Sequence, residues 1–155
     1  MPNQTYALEW LEIAGRNLET AEVLLKQDHY ADIIAIEIHQ TIEKTFKAVL
    51  AFNGVRIPKT HDLMHLFELC NKHIDIQEAF IDDLLVINDY YETERSPGPR
   101  YSIPGKTEIE NHISVAKQLY QEVNTLVSSV WNTAPTERMM HQCKTIADDQ
   151  FSIFD

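Results

Sequence analysis

Apolar residues recur at helical spacing along most of this chain, and no stretch alternates with the two-residue period of a strand. Residues 7 to 25 place Ala7, Leu8, Leu11, Ala14, Leu18, Ala21, Leu24 and Leu25 on one helix face. The segment QDHY (27–30) interrupts that face. A second helix is expected from Ala31 to Phe52, with Ile34, Ile38, Ile42, Phe46 and Val49 on one side and Gln40, Glu43, Lys44 and Lys47 on another. Asn53-Gly54 supplies its stop. A third helix starts after Thr60, with Leu63, Leu66, Phe67, Cys70 and Ile74 as its stripe. A fourth opens at Asp75, with Glu78 in the capping-box position and Ile76, Phe80, Leu84, Ile87 and Tyr91 following. The segment RSPGPRYSIPG (95–105) holds three prolines and two glycines and reads as a loop. A fifth helix opens at Thr107, with Glu110 at the matching cap position. Ile109, Ile113, Ala116, Tyr120, Val123, Val127 and Val130 form a near-heptad seam that Trp131 ends. The expected fold is all-α: an antiparallel helical bundle over 1–132, followed by a tail, 133–155, that forms a short helix or is mobile.

Composition narrows the class. A chain of 155 residues, 44% hydrophobic, can bury a core as one domain. Cys70 and Cys143 lie far apart without CxxC spacing, which argues against a disulfide framework or structural zinc and suits a reducing compartment. The opening MPNQTYALEW lacks a charged-then-apolar signal pattern, and no apolar run approaches the roughly 18 residues of a membrane span. The expectation is a cytoplasmic protein with no membrane partner.

The net charge of −11 should repel a phosphate backbone overall, so nucleic-acid binding needs a local exception. Two windows offer one. Lys44 through His61 holds no Asp or Glu but carries Lys44, Lys47, Arg56 and Lys59. Arg95 through Thr107 is again free of acid and carries Arg95, Arg100 and Lys106. Together they hold seven of the 13 cations. If the fold brings the two connections together, they pool into a pocket that attracts a phosphate, with Arg offering a bidentate grip. The alternative is two loops with ordinary solvated charges.

The connection GVRIPKTHDL (54–63) concentrates the question. Thr60 suits a helix cap, Asp62 suits the first turn of a helix, and Pro58 favours an extended Ile57. Lys59 and His61 are not required by any of this. His61 either donates to a nearby carboxylate or carbonyl, or faces a ligand beside a helix N-terminus. His61 and His65 have the spacing of a metal pair, but no third ligand and no HExxH accompany them, so no metal is expected. Cys70 fits an apolar stripe and reads as a buried thiol. Tyr90 and Tyr91 fit the inner face of the fourth helix. No GxGxxG, GxxxxGK[ST] or Ser/His/Asp arrangement is present.

The run IEIHQTIEKTFKAVLAFNGVRIPKTHDLMHLFELC (36–70) resembles the HEPN family, through His39-Gln40, Glu43-Lys44, Lys47-Ala48, Gly54 and Pro58 to Leu63. ALEWLEIAGRNLETAEVLLKQDHYADI at the start and YYETERSPG (90–98) are similar to other parts of that family, and the resemblance covers about residues 5 to 130. It implies a five-helix up-and-down bundle, usually a homodimer, often paired with a minimal nucleotidyltransferase in a toxin–antitoxin system. It implies no cofactor. Other members are metal-independent ribonucleases with an Arg four to six residues before a His near the start of the last long helices. Here Arg95 and Arg100 are too far from His112 for that signature, while Arg56 and His61 match it in a different place.

Three readings follow. In the first, a dimeric module binds a nucleotide or RNA phosphate, or docks a nucleotidyltransferase, through a rim of Lys44, Lys47, Lys59, His61, Arg95 and Arg100, with Gln40 and Asp62 orienting groups within it. In the second, it cleaves RNA without metal, Arg95 or Arg56 stabilising charge and His61 moving a proton. In the third, it is a structural partner whose fifth-helix seam completes another protein's core.

Overall fold

The computed structural model of the chain describes residues 3–93, 97–99 and 102–132. It contains α1 (Gln4–Lys26), α2 (Ala31–Phe52), α3 (Leu63–Cys70), a 3₁₀ turn (Glu78–Phe80) leading into α4 (Ile81–Thr93), and α5 (Lys106–Asn132). Among the described residues there is no strand.

Hydrogen bonds between chain-distant ends fix the directions. Asn3 N donates to Ala51 O, which sets the start of α1 beside the end of α2. Gln4 Nε2 donates to Val127 O, and Lys106 pairs with Asp28 in the turn after α1, so α1 and α5 are also antiparallel. Asn111 reaches back to Asp83, and Glu108 to Tyr90, which runs α4 against α5. The result is the expected up-and-down bundle.

Each helix is set by local chemistry. The Asn3 side chain accepts from Tyr6 N and caps α1. Asp28, with φ at +51°, and the turn around it end α1. At the end of α2, Gly54 N donates to Ala51 O and Val55 N to Leu50 O. That is a Schellman motif, and Gly54 carries the left-handed φ of +69° it requires.

Three helix starts differ from expectation. The N-cap of α3 is Asp62, whose carboxylate accepts from Met64 N and His65 N, so Thr60 is not the cap. The Thr60 hydroxyl instead accepts from Asp62 N and fixes the approach. In the fourth segment, Gln77 is extended and a 3₁₀ turn comes first, so the helix starts at Ile81 rather than at Asp75. In α5, Ile109 N donates to Gly105 O, which puts Thr107 inside the first turn instead of at the cap.

The core sits around α2. Ile34, Ile38, Ile42, Phe46 and Val49 are buried as the stripe predicts, against Ala7, Leu11, Leu18 and Ala21 of α1 and Ile109, Ala116, Val123 and Val127 of α5. The other side of α2 does not match the polar face expected. Thr41, Glu43, Thr45 and Lys47 are buried too, because α2 is enclosed on nearly all sides. No described helix is long and apolar enough to cross a membrane. The tail 133–155, like Arg95 and Arg100, lies outside the described residues.

Candidate functional site

Three polar side chains spaced four apart on α2, His39, Glu43 and Lys47, lie on one face and inside the protein. Glu43 is 2% exposed. A buried carboxylate needs partners to stay ionised, and it has them. Lys47 Nζ donates to Glu43 Oε1 at 2.8 Å, and His61 Nδ1 lies 3.1 Å from both carboxylate oxygens. Burial alone would raise the Glu43 pKa. The hydrogen bonds from Lys47 and His61, with the charges of Lys47 and Lys44, outweigh burial and hold it below its ordinary value. An ionised carboxylate only accepts, so His61 donates from Nδ1. Lys47 also lies over the Trp10 ring, 5.5 Å from its centroid, which adds a cation–π contact to its ion pair.

His39 completes the row differently. It is fully buried, with Nδ1 3.6 Å from Glu43 Oε2, beyond hydrogen-bond reach. Neither ring nitrogen has a hydrogen-bond partner. Burial pushes its pKa down to about 4; the Glu43 charge and the His61 backbone pull upward without supplying a hydrogen bond of ordinary geometry.

The connection between α2 and α3 turns back along α2 and lays His61 over this row. His61 is half exposed and stacks on Tyr91 of α4, with ring centroids 4.3 Å apart and planes 16° from parallel. Tyr91 also lies 5.3 Å from the His39 ring. Asn88 ties α4 to the connection, its Oδ1 accepting from Leu63 N and its Nδ2 donating to Asp62 Oδ1. In front of the stack opens a cleft of about 350 Å³ lined by Thr60, His61, Asp62, Asn88, Asp89, Tyr91 and Glu92.

The expected site residues are distributed as follows. His61 and Asp62 line the cleft, and Asp62 is committed to capping and to Asn88. Lys59 and Arg56 are exposed on the connection. Lys47 is buried beneath His61, below the rim rather than on it. Lys44 is half-buried and donates to Gln40 Oε1; burial first, then the Lys47 charge, lowers its pKa. Lys106 turns to Asp28 at the other end of its loop. The described wall of the cleft carries Asp62, Asp89 and Glu92, so it is richer in acid than the sequence windows suggest. Sequence reasoning did not assign His39, Glu43, Tyr91 or Asn88 to the site. The available signal was the four-residue spacing of His39, Glu43 and Lys47, a polar row on a helix otherwise rich in Ile and Ala.

A second polar cluster joins α4 to α5. Tyr90 Oη lies 2.7 Å from Glu108 Oε1 and 2.6 Å from His112 Nδ1, while His112 Nε2 lies 3.3 Å from Asp83 Oδ1. His112 is buried there and does not reach the cleft at His61.

Comparison with known proteins finds the family model described as HEPN domain matching residues 7–126. The Methanocaldococcus jannaschii protein named "Putative toxin MJ1304" is 33% identical over 111 residues, covering 70% of this chain and 72% of that protein. Two crystal structures share the fold. One is TT1696 from Thermus thermophilus, at a TM-score of 0.66 and 24% identity, covering 76% of this chain and 95% of the other. The second is an archaeal HEPN homologue, at a TM-score of 0.62 and 19% identity, covering 78% and 97%.

Proposed function

The chain belongs to the HEPN family, and on that premise we propose that it is a toxin-class module that binds a nucleotide or RNA in the cleft between the 54–62 connection and α4. The observation that carries this reading is the half-exposed His61 held by the buried Glu43 carboxylate. Before a ligand arrives the carboxylate holds the ring through Nδ1, and Nε2, which has no hydrogen-bond partner among the described residues, is the nitrogen left to meet it. Arg56 and Lys59 on the same connection take phosphate oxygens, joined in this reading by Arg95 and Arg100 of the next loop. Asp89 and Glu92 accept hydrogen bonds from the amino groups of a base held beside the His61–Tyr91 stack. Lys47 acts from below by holding Glu43, while Gln40 and Lys44 sit beside it.

The module works as a homodimer in the cytoplasm with a nucleotidyltransferase-type partner in a toxin–antitoxin system. The family resemblance supports this, and the name of the Methanocaldococcus relative supports the toxin class alone. The exposed apolar side chains Leu85, Val86 and Ile103 give such a partner a surface to cover. The test is fluorescence anisotropy of labelled single-stranded RNA against the purified protein over a salt series. Binding that weakens on His61→Ala and loses salt dependence on Arg56→Ala with Lys59→Ala supports the reading. No binding by the wild type, or an unchanged His61→Ala, defeats it.

One observation favours a second reading, metal-independent RNA cleavage: a histidine oriented by a buried carboxylate is a competent general acid–base group. Incubation with RNA in EDTA decides. Cleavage lost on His61→Ala supports it, and intact RNA at high protein concentration ends it.

A further inference from the structure

A buried imidazole with both nitrogens unpartnered gives up its hydration and receives no hydrogen bond in return. His39 is in that position. An apolar ring would fill the same space. Its Nδ1, however, is 3.6 Å from Glu43 Oε2, the oxygen that His61 Nδ1 also approaches at 3.1 Å. Two histidines therefore flank one carboxylate oxygen, one bonded and one just out of reach.

We propose that His39 is the standby partner of Glu43, taking up the carboxylate when His61 turns toward a ligand. The proposal rests on the reading that His61 meets its ligand in the cleft, and adds that the ring turns off Glu43 Oε2 as it does so. The need for a standby follows from burial. Oε1 keeps Lys47 when His61 leaves, but Oε2 would be left as an unpaired buried anionic oxygen. Closing from 3.6 Å to about 2.9 Å, the length of a charge-assisted hydrogen bond, takes only small side-chain rotations. The groups facing His39 are Glu43 and Lys44 on its own helix, His61 from the connection and Tyr91 from α4. The exchange requires the single hydrogen of neutral His39 to stand on Nδ1, the nitrogen nearest Glu43 Oε2. Burial holds His39 uncharged at neutral pH, so the exchange moves a hydrogen bond and no proton changes owner. His39 is thus a positioning residue, lowering the cost of releasing His61.

The full chain, carrying ¹⁵N-histidine, tests this by nuclear magnetic resonance. In His61→Ala the competitor is gone, and the His39 Nδ1 proton should move downfield and exchange with water about tenfold more slowly, as one net hydrogen bond would give. His61 is half exposed, so truncation is tolerable; His61→Ser provides the same comparison if it is not. An unchanged His39 signal in both overturns the proposal. A second arm titrates a single-stranded RNA oligonucleotide. His39→Phe should weaken binding about tenfold and His39→Gln, which keeps a donor, should restore most of it. Equal loss in both variants marks His39 as structural and overturns the proposal. Failure of the wild type to bind RNA defeats the proposed function, while the His61→Ala signal still decides the exchange.

Discussion

The Glu43 carboxylate accepts from His61 on one side and from Lys47 on the other, with both of its oxygens in the protein interior. Replacing Glu43 by Gln keeps the shape but leaves the Lys47 ammonium, 7% exposed, without a counter-charge. Breaking a buried pair from one side costs about 3–5 kcal/mol. Glu43→Gln should therefore lower the urea midpoint by that equivalent. Glu43→Met combined with Lys47→Leu should recover most of the loss, because no buried charge remains. A double variant as unstable as the single one would show that the pair is not the source.

The same row makes the protein acid-sensitive. The His39 pKa falls from 6.5 to about 4 on folding, so between those values the unfolded chain binds a proton that the native state refuses. Stability then rises with pH across that window. Taken from pH 6.5 down to 4, the loss from this one group is about 3 kcal/mol. Glu43, whose folded pKa is depressed from 4.5, adds a further loss as pH falls through that lower value. Chemical denaturation at a series of pH values should show the slope between 4 and 6.5 in the wild type, and His39→Phe should flatten it.

On the other side of α4, Tyr90 Oη sits between Glu108 and His112, and His112 in turn reaches Asp83. Tyr90→Phe keeps the ring and removes the one atom that both neighbours use. Two polar groups lose their partner, one of them on the buried His112. The expected destabilisation is about 2–4 kcal/mol, against well under 1 for an exposed tyrosine. A double-mutant cycle with His112→Phe should return a coupling of about 0.5–3 kcal/mol. Additive losses would mean that the short contacts do not hold α4 to α5.

These predictions show where sequence was informative. The bounds of α2, Ala31 and Phe52, follow from periodicity and from the Asn53-Gly54 stop, because both are local properties of the chain. Asp62 and Thr60 are each good cap residues, and spacing could not rank them; the carboxylate reaches two backbone donors, and that settles the cap. Glu43 and Lys47 read only as part of a second, polar face of the helix, with Lys47 on the binding rim, since a helical wheel registers residue types and not what returns to cover them. The covering segment is the 54–62 connection, which brings His61 back onto a residue 18 positions earlier. Of the two roles open to His61, the contact with a carboxylate is present, Nδ1 lying 3.1 Å from both Glu43 oxygens. Tyr91 fitted the inner face of α4, but its stacking on His61 is a tertiary contact that no spacing within α4 encodes.

A last prediction concerns Gly15, in the middle of α1. A Cβ built there would lie 2.8 Å from Tyr120 Oη and 3.3 Å from its Cζ, so the tyrosine of α5 occupies the space that a side chain would need. Gly inside a helix costs about 1 kcal/mol relative to Ala, so relief is available if the ring end can be moved aside. In the wild type, overpacking should win: Gly15→Ala is expected to destabilise by about 1 kcal/mol, at the low end for an added methyl in a packed contact. In a Tyr120→Phe background the closest atom is gone, and a shift of a few tenths of an ångström accommodates the rest. There Gly15→Ala should stabilise by about 0.5–1 kcal/mol. Thermal melts of the four proteins measure the reversal. Stabilisation already in the wild type would mean that the α1–α5 contact at Tyr120 is looser than 2.8 Å implies, and destabilisation in both that the ring itself, with Cζ at 3.3 Å, does not yield.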